Sequence, residues 1–271
     1  MLKPRYSPDV NRLSVLAAAI LLAYALARFI YIPTRVLEIR FLGVYLPVEL
    51  NTHTVVAFLV AGLTASGADW LLRDHPQLNN KNAIEHWLLP ALTAWVIGFP
   101  LFQLPLGVLW WAGFVVGAIL LMLVLVAEYI SIDPDDVRHP AAAAGLIALS
   151  FVLYLMLAIA MRYAGFRLIL ILPALTIAAW LVSLRTLNLR LRGRWALVQA
   201  GLIAFMCAQI TAAMHYMPLS PVSFGLILLA PTYALTSLVA NLAEEEPIRQ
   251  AIIEPISVFL ILLVIALWLR G

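Results

Sequence analysis

The chain has 271 residues, 64% of them hydrophobic and 11% charged, with a net charge of +3 and a mean hydropathy of +1.00. Soluble domains carry roughly 25% charged and 45–50% apolar residues, and a small fold has too much surface to hide this apolar excess from water. The composition excludes a water-soluble fold, and the small, dispersed positive charge argues against nucleic acid; lipid is the solvent expected for most of the chain.

Hydropathy divides the sequence into apolar runs at residues 13–32, 53–72, 84–102, 106–129, 141–163, 168–184, 195–216, 221–242 and 251–269. Each approaches the ~20 residues that an α-helix needs to cross a hydrocarbon core of about 30 Å. The expected fold is therefore an all-α polytopic bundle of about nine transmembrane helices, forming a single transmembrane domain over residues 1–271. Before the first run stand Lys3, Arg5 and Arg12, and Ala23-Tyr24-Ala25-Leu26-Ala27 resembles a signal-peptidase site. The apolar stretch resumes after Arg28 through Ile32, so a retained first helix is expected.

Residues 33–49 break the helical pattern. Val36, Glu38 and Arg40 alternate with Leu37, Ile39 and Phe41, and Gly43 offers a turn before a second β-rich stretch. This spacing predicts a short extracytoplasmic β-hairpin between the first two helices; an interfacial amphipathic helix is the alternative. An open hairpin cannot sit in lipid, so it must cap the helices or touch a partner.

Farther along, proline and glycine mark short connections at residues 100–107, 165–167 and 217–221. Such turns make sequential helices antiparallel neighbours. With the N-terminus on the cytoplasmic side, 11 of the 17 lysines and arginines fall on that side, including the cluster Arg185, Arg190, Arg192 and Arg194. The positive-inside rule then predicts a multi-pass cell-membrane protein with a cytoplasmic N-terminus and an extracytoplasmic C-terminus.

Within the spans the main polar side chains are Gln199, Gln209 and Asn241. Interhelical hydrogen bonding is the expected use of such groups, and a transport path is the alternative. Pro90, Pro173 and Pro231 show no paired pattern of broken helices. Acidic residues collect at the predicted cytoplasmic ends instead. Asp69 and Asp74 close the second run, Glu85 and His86 open the third, and Glu128, Asp133, Asp135 and Asp136 follow the fourth. Glu244, Glu245 and Glu246 follow the eighth, and Glu254 enters the ninth.

Asp69, Glu85, His86, Glu128 and Glu254 are the candidate catalytic residues. Carboxylates at one depth could hold Mg²⁺ against a diphosphate whose lipid tail lies among the helices. Arg185, Arg190, Arg192 and Arg194 would add contacts to a lipid head group or phosphate. The structural alternative is that the acids cap helices and the arginines follow the positive-inside bias. Intramembrane prenyltransferases are also nine-helix bundles with acidic loops, but their aspartate-rich motifs should follow the second and sixth helices. Only Asp69 and Asp74 stand at the first position and no acid at the other, so that resemblance fails.

His53 and His215, both predicted near the outer interface, are weak candidates for ligating a haem or pigment. His75, His86 and His139 show no metal spacing, and no cofactor or metal site is otherwise expected. Cys207 lies in an apolar run and reads as a small buried hydrophobe. Gly113 and Gly117 form a GxxxG, and Gly62, Ser66 and Gly145 are further small residues suited to close helix packing. Trp110, Trp111 and Trp268 suit interfacial belts.

Three function classes remain open. The first is a non-catalytic scaffold, assembly or accessory subunit that binds lipid or protein partners through its helices. The second is an enzyme acting on an isoprenoid or phospholipid head group at the cytoplasmic interface, and the third is a small-molecule transporter. Expected partners are membrane lipids, other membrane subunits or a second copy, and no nucleic acid.

Overall fold

The computed structural model describes residues 8–27, 35–41, 44–50, 52–73, 75–78, 84–191, 193–245 and 247–269, with the backbone alone over 35–54. Lipid offers backbone amides no water to bond, so each crossing must satisfy them internally. Among the described residues the helices are α1 (Val10–Ala27), α2 (Thr52–Leu72), α3 (Leu88–Gln103), α4 (Val108–Ser131), α5 (His139–Tyr163), α6 (Leu168–Arg190), α7 (Leu197–His215), α8 (Pro221–Ala243) and α9 (Ile248–Trp268). A 3₁₀ turn, Ile84–His86, precedes α3. By length and composition α2 to α9 can each cross a membrane, α3 together with its 3₁₀ turn, and α1 is a shorter apolar helix. The chain is a polytopic helical membrane protein. Residues 28–32, the end of the expected first run, lie outside the described residues.

Between α1 and α2 the backbone forms two strands, β1 (Arg35–Phe41) and β2 (Val44–Leu50). They pair antiparallel, with Arg35 opposite Leu50 and Phe41 opposite Val44. The turn expected at Gly43 lies outside the described residues.

Residue contacts divide the chain into two compact units, Met1–Ile132 and Asp133–Gly271. In the first, α1 packs on α2 and α4, and α3 packs on α2 and α4. Leu16, Ile20, Tyr24, Val60, Ile97 and Leu121 belong to its buried core. Two of its buried aromatic residues bond across helices: the Tyr24 hydroxyl donates to the Ala94 carbonyl, and the Trp110 indole donates to the Leu101 carbonyl at 3.0 Å. Gly117 sets the approach of α3 to α4, since a Cβ there would lie 2.7 Å from Ile97 Cγ2. One at Gly113 would meet Leu104 Cδ1 at 3.4 Å. Gly62 has open space instead.

In the second unit α8 lies against α5, α6, α7 and α9. Its start is built by Ser220, whose hydroxyl accepts from the Ser223 amide at 3.2 Å, followed by Pro221 in the first turn. Gly225 brings α8 against α5: a Cβ there would lie 2.8 Å from Ile159 Cγ1 and 2.9 Å from Leu155 Cδ1. Gly145, by contrast, has open space. Gly165, at φ +68°, ends α5 in the left-handed conformation that glycine adopts without strain.

The sixth helix runs past its expected end. Hydropathy falls at Arg185, but the helix continues to Arg190, with Thr186, Leu187 and Asn188 buried. A drop in hydropathy marks a change of solvent, and a helix whose last turns pack on protein need not stop there.

Candidate functional site

The first unit gathers its buried charge at one place. His86 sits in the 3₁₀ turn before α3, and Glu128 and Ser131 occupy the last turn of α4. Glu128 is fully buried and His86 only 5% exposed. His86 Nδ1 lies 2.8 Å from Glu128 Oε2, a hydrogen bond between two buried side chains. The Ser131 hydroxyl donates to the Glu128 carbonyl at 2.9 Å and lies 3.4 Å from Glu128 Oε2. On the other side of the ring, Nε2 is 3.6 Å from Glu85 Oε1. The imidazole is thus held between two carboxylates. Nearby on the chain, His75 packs edge-on against Tyr129 with ring centroids 4.8 Å apart, its Nδ1 accepting from the Gln77 amide at 3.2 Å.

This arrangement is not a nucleophile relay. A serine activated by histidine needs its hydroxyl on one ring nitrogen and the orienting carboxylate on the other. Here Ser131 and Glu128 both face Nδ1, with the serine at 3.5 Å. What the cluster can do is hold a proton or present Glu85, 25% exposed, to a polar group arriving at the helix ends.

The remaining acid candidates are committed elsewhere. Asp69 pairs with Arg73 at 2.6 Å. Glu254, in the second unit, accepts from the Tyr233 hydroxyl and from the Ser237 hydroxyl, the latter at 2.9 Å. Among the described residues no group of three or more histidine, cysteine, aspartate or glutamate side chains could hold a metal ion. The carboxylate set expected to bind Mg²⁺ therefore does not assemble as one group there. Asp74 and Glu246 lie outside the described residues.

The basic cluster also resolves into different roles. Arg185, expected in a loop, is 1% exposed inside α6 and donates to Asn188 Oδ1 at 2.9 Å. Arg190 makes a two-pronged contact with Glu244, at 2.9 and 2.7 Å, joining the ends of α6 and α8. Arg194 is exposed, and Arg192 lies outside the described residues. Glu244, read from sequence as complementing the start of the ninth helix, serves Arg190 instead, and the first turn of α9 holds no acid. Asp133 and Asp136 build the turn before α5, accepting from the amides of Asp135 at 3.0 Å and Arg138 at 2.8 Å. The carboxylate of Asp136 beside Arg138 raises that guanidinium's pKa above its ordinary value.

His215 ends α7 with its ring edge-on to Tyr216 at 5.1 Å, and the side chain of His53 lies outside the described residues. Of the three polar residues in the spans, Gln199 and Gln209 are exposed on α7, while Asn241 is buried and donates to the Ala251 carbonyl at 3.1 Å. They line no common path.

One feature had no signature in the sequence. Between α7, α8 and α9 the second unit has a cavity of about 320 Å³, lined by residues that include Ile210, Met214, Ile227, Pro231, Phe259 and Leu263. Every residue of its wall is apolar. That volume is at the lower end of small-molecule sites. Single leucines and methionines at these spacings read as ordinary span residues, so only the packing reveals the gap.

No curated protein and no solved structure matches the chain. A family model described as "Protein of unknown function (DUF5656)" matches residues 32–269. The matched stretch begins after α1 and includes the His86–Glu128 pair and the helices around the groove. The chain belongs to that family.

Proposed function

We propose that the protein is a non-catalytic, multi-pass component of the cell membrane that holds a lipid chain in the groove between α7, α8 and α9. The observation that carries this reading is the groove itself, about 320 Å³ in volume and walled only by apolar side chains. Such a site can hold a chain but has no group with which to transform one. In a bilayer the hydrophobic effect does not distinguish protein from lipid, so retention rests on shape and van der Waals fit. The methionines Met214 and Met217 suit an irregular chain because the thioether adapts its packing.

The reading includes an orientation, with the N-terminus cytoplasmic and the C-terminus outside. The excess of lysine and arginine on the inner side supports it, while Tyr163, Tyr216 and Trp268 at the ends of α5, α7 and α9 suit an interface on either side. These aromatics are 75%, 79% and 82% exposed, as an interfacial belt requires. The paired strands β1 and β2 would then cap the outer face.

The test is native mass spectrometry of protein purified in mild detergent, comparing the wild type with Leu263→Trp, which fills the groove. The wild type should retain a bound lipid and the variant should lose most of it while melting at a similar temperature. A lipid-free wild type, or equal retention in both, overturns the proposal.

A second reading, an enzyme acting on an isoprenoid or phospholipid head group, is favoured by His86 standing between Glu128 and Glu85. It predicts that cells carrying His86→Gln accumulate an amphiphile absent from the wild type. An unchanged lipid profile with normal protein abundance removes it.

A further inference from the structure

Two polar side chains that face inward on α7, Thr211 and Cys207, are satisfied within the chain. The Thr211 hydroxyl donates to the Cys207 carbonyl at 2.7 Å, and the Cys207 thiol lies 3.1 Å from the Thr232 hydroxyl. Gln209, by contrast, faces outward. It is exposed and has no hydrogen-bond partner among the described residues. Six residues separate it from His215 at the end of α7, which is about 9 Å at 1.5 Å per residue. Its amide is therefore too deep for the side chain to reach the head groups.

Gln209 is also central to its face. Phe205 and Leu202 stand four and seven residues before it, 62% and 61% exposed, and Ala213 follows one turn later, also exposed. Lipid tails can cover the apolar members of this stripe but offer the amide neither donor nor acceptor. A primary amide carries both and so complements itself.

We propose that this face of α7 is the interface of a homodimer, in which Gln209 of one copy hydrogen-bonds Gln209 of a second. Two copies inserted in the same sense are related by a two-fold axis along the membrane normal. Such an axis brings the same residue of each copy together at the same depth. A different partner would have to supply a polar group of its own at that depth, whereas a second copy necessarily supplies one. The small side chains of Ala208, Ala212 and Ala213 flank Gln209 and permit close approach of the two helices.

The test places a benzophenone amino acid at Phe205 in the full chain, irradiates it in native membranes, and reads the products by intact mass. The expected product is a cross-linked pair of this chain. In vesicles, Gln209→Leu should weaken dimerisation roughly three- to thirtyfold, the range that interhelical polar contacts supply. Gln199→Leu, exposed near the start of the same helix, should leave it unchanged. Adducts only to lipid, to another protein or within one chain overturn the proposal, as does undiminished dimerisation in Gln209→Leu. Since leucine is compatible with lipid, a fall in the melting temperature of the Gln209→Leu monomer would show that the amide serves its own fold, and would also overturn it.

Discussion

Removing Glu128 should destabilise the first unit more than almost any other single truncation there. Glu128→Ala deletes the 2.8 Å bond to His86 Nδ1, and a hydrogen bond involving a charged group is worth about 1.5–3 kcal/mol. It also removes an acceptor 2.8 Å from a ring nitrogen on a histidine that is 5% exposed, which adds a desolvation cost of about 1–3 kcal/mol. The sum, reduced by local relaxation, is about 3–5 kcal/mol, the range for one-sided removal from a buried pair. His86→Ala should cost a similar amount, because it takes the 2.8 Å partner from a fully buried carboxylate. The double variant Glu128→Ala/His86→Ala removes both groups. Its cost should fall short of the summed singles by about 0.5–3 kcal/mol. Denaturant titration in mild detergent, followed by tryptophan fluorescence, measures all three. Single losses below about 1 kcal/mol, or additivity within about 0.5 kcal/mol, would show that the pair does not hold this end of the unit together.

Other perturbations follow from contacts of known geometry. Gly117→Ala puts a methyl 2.7 Å from Ile97 Cγ2 and should cost about 1–3 kcal/mol, a penalty that Ile97→Ala relieves in the same chain; thermal unfolding of the four variants reads the coupling. Arg190→Ala should cost about 1 kcal/mol or less, because the side chains of Arg190 and Glu244 are 23% and 32% exposed and solvent screens them. The loss should shrink further as ionic strength rises, which melting curves at low and high salt will show.

Helix existence was legible because the bilayer removes the alternatives: a run of about 20 apolar residues has no other way to satisfy its backbone. Helix ends were less so. The expected sixth span stopped at residue 184 because Arg185 is charged, yet Arg185 is buried and bonded to Asn188 within α6. Charge reports the local solvent poorly once a protein partner supplies the hydrogen bonds. The acidic residues were picked by type, and type alone did not say which of them meet. Glu85 and Glu128 converge on His86 across 42 residues of sequence, while Asp69 is taken by Arg73 one turn away. Ser131, three residues after Glu128 on the same helix face, was missed although its spacing made it a natural partner. Gly225 was missed too, having no second glycine four residues away to complete a motif. Its role is set by Leu155 and Ile159 on another helix, which no local pattern records.

The distribution of polar groups within the helices weighs against a transport path and toward function at surfaces. A path needs polar side chains from several helices converging on one wettable line. In the second unit several are consumed instead, while the buried Tyr154 hydroxyl and Thr186 Oγ1 have no hydrogen-bond partner among the described residues. Ser150, Thr211, Thr232 and Thr236 each donate to the carbonyl four residues earlier in their own helix, and such back-bonding leaves a hydroxyl little to offer a solute. Cross-helix contacts such as Ser183 with Thr236 at 2.9 Å and Asn241 with the Ala251 carbonyl at 3.1 Å join neighbouring helices and act as packing bonds. Gln199 and Gln209 point the other way, off the outside of α7. The exposed amide on α7 and the apolar groove between α7, α8 and α9 are the two features on which the proposed lipid chain and second copy rest.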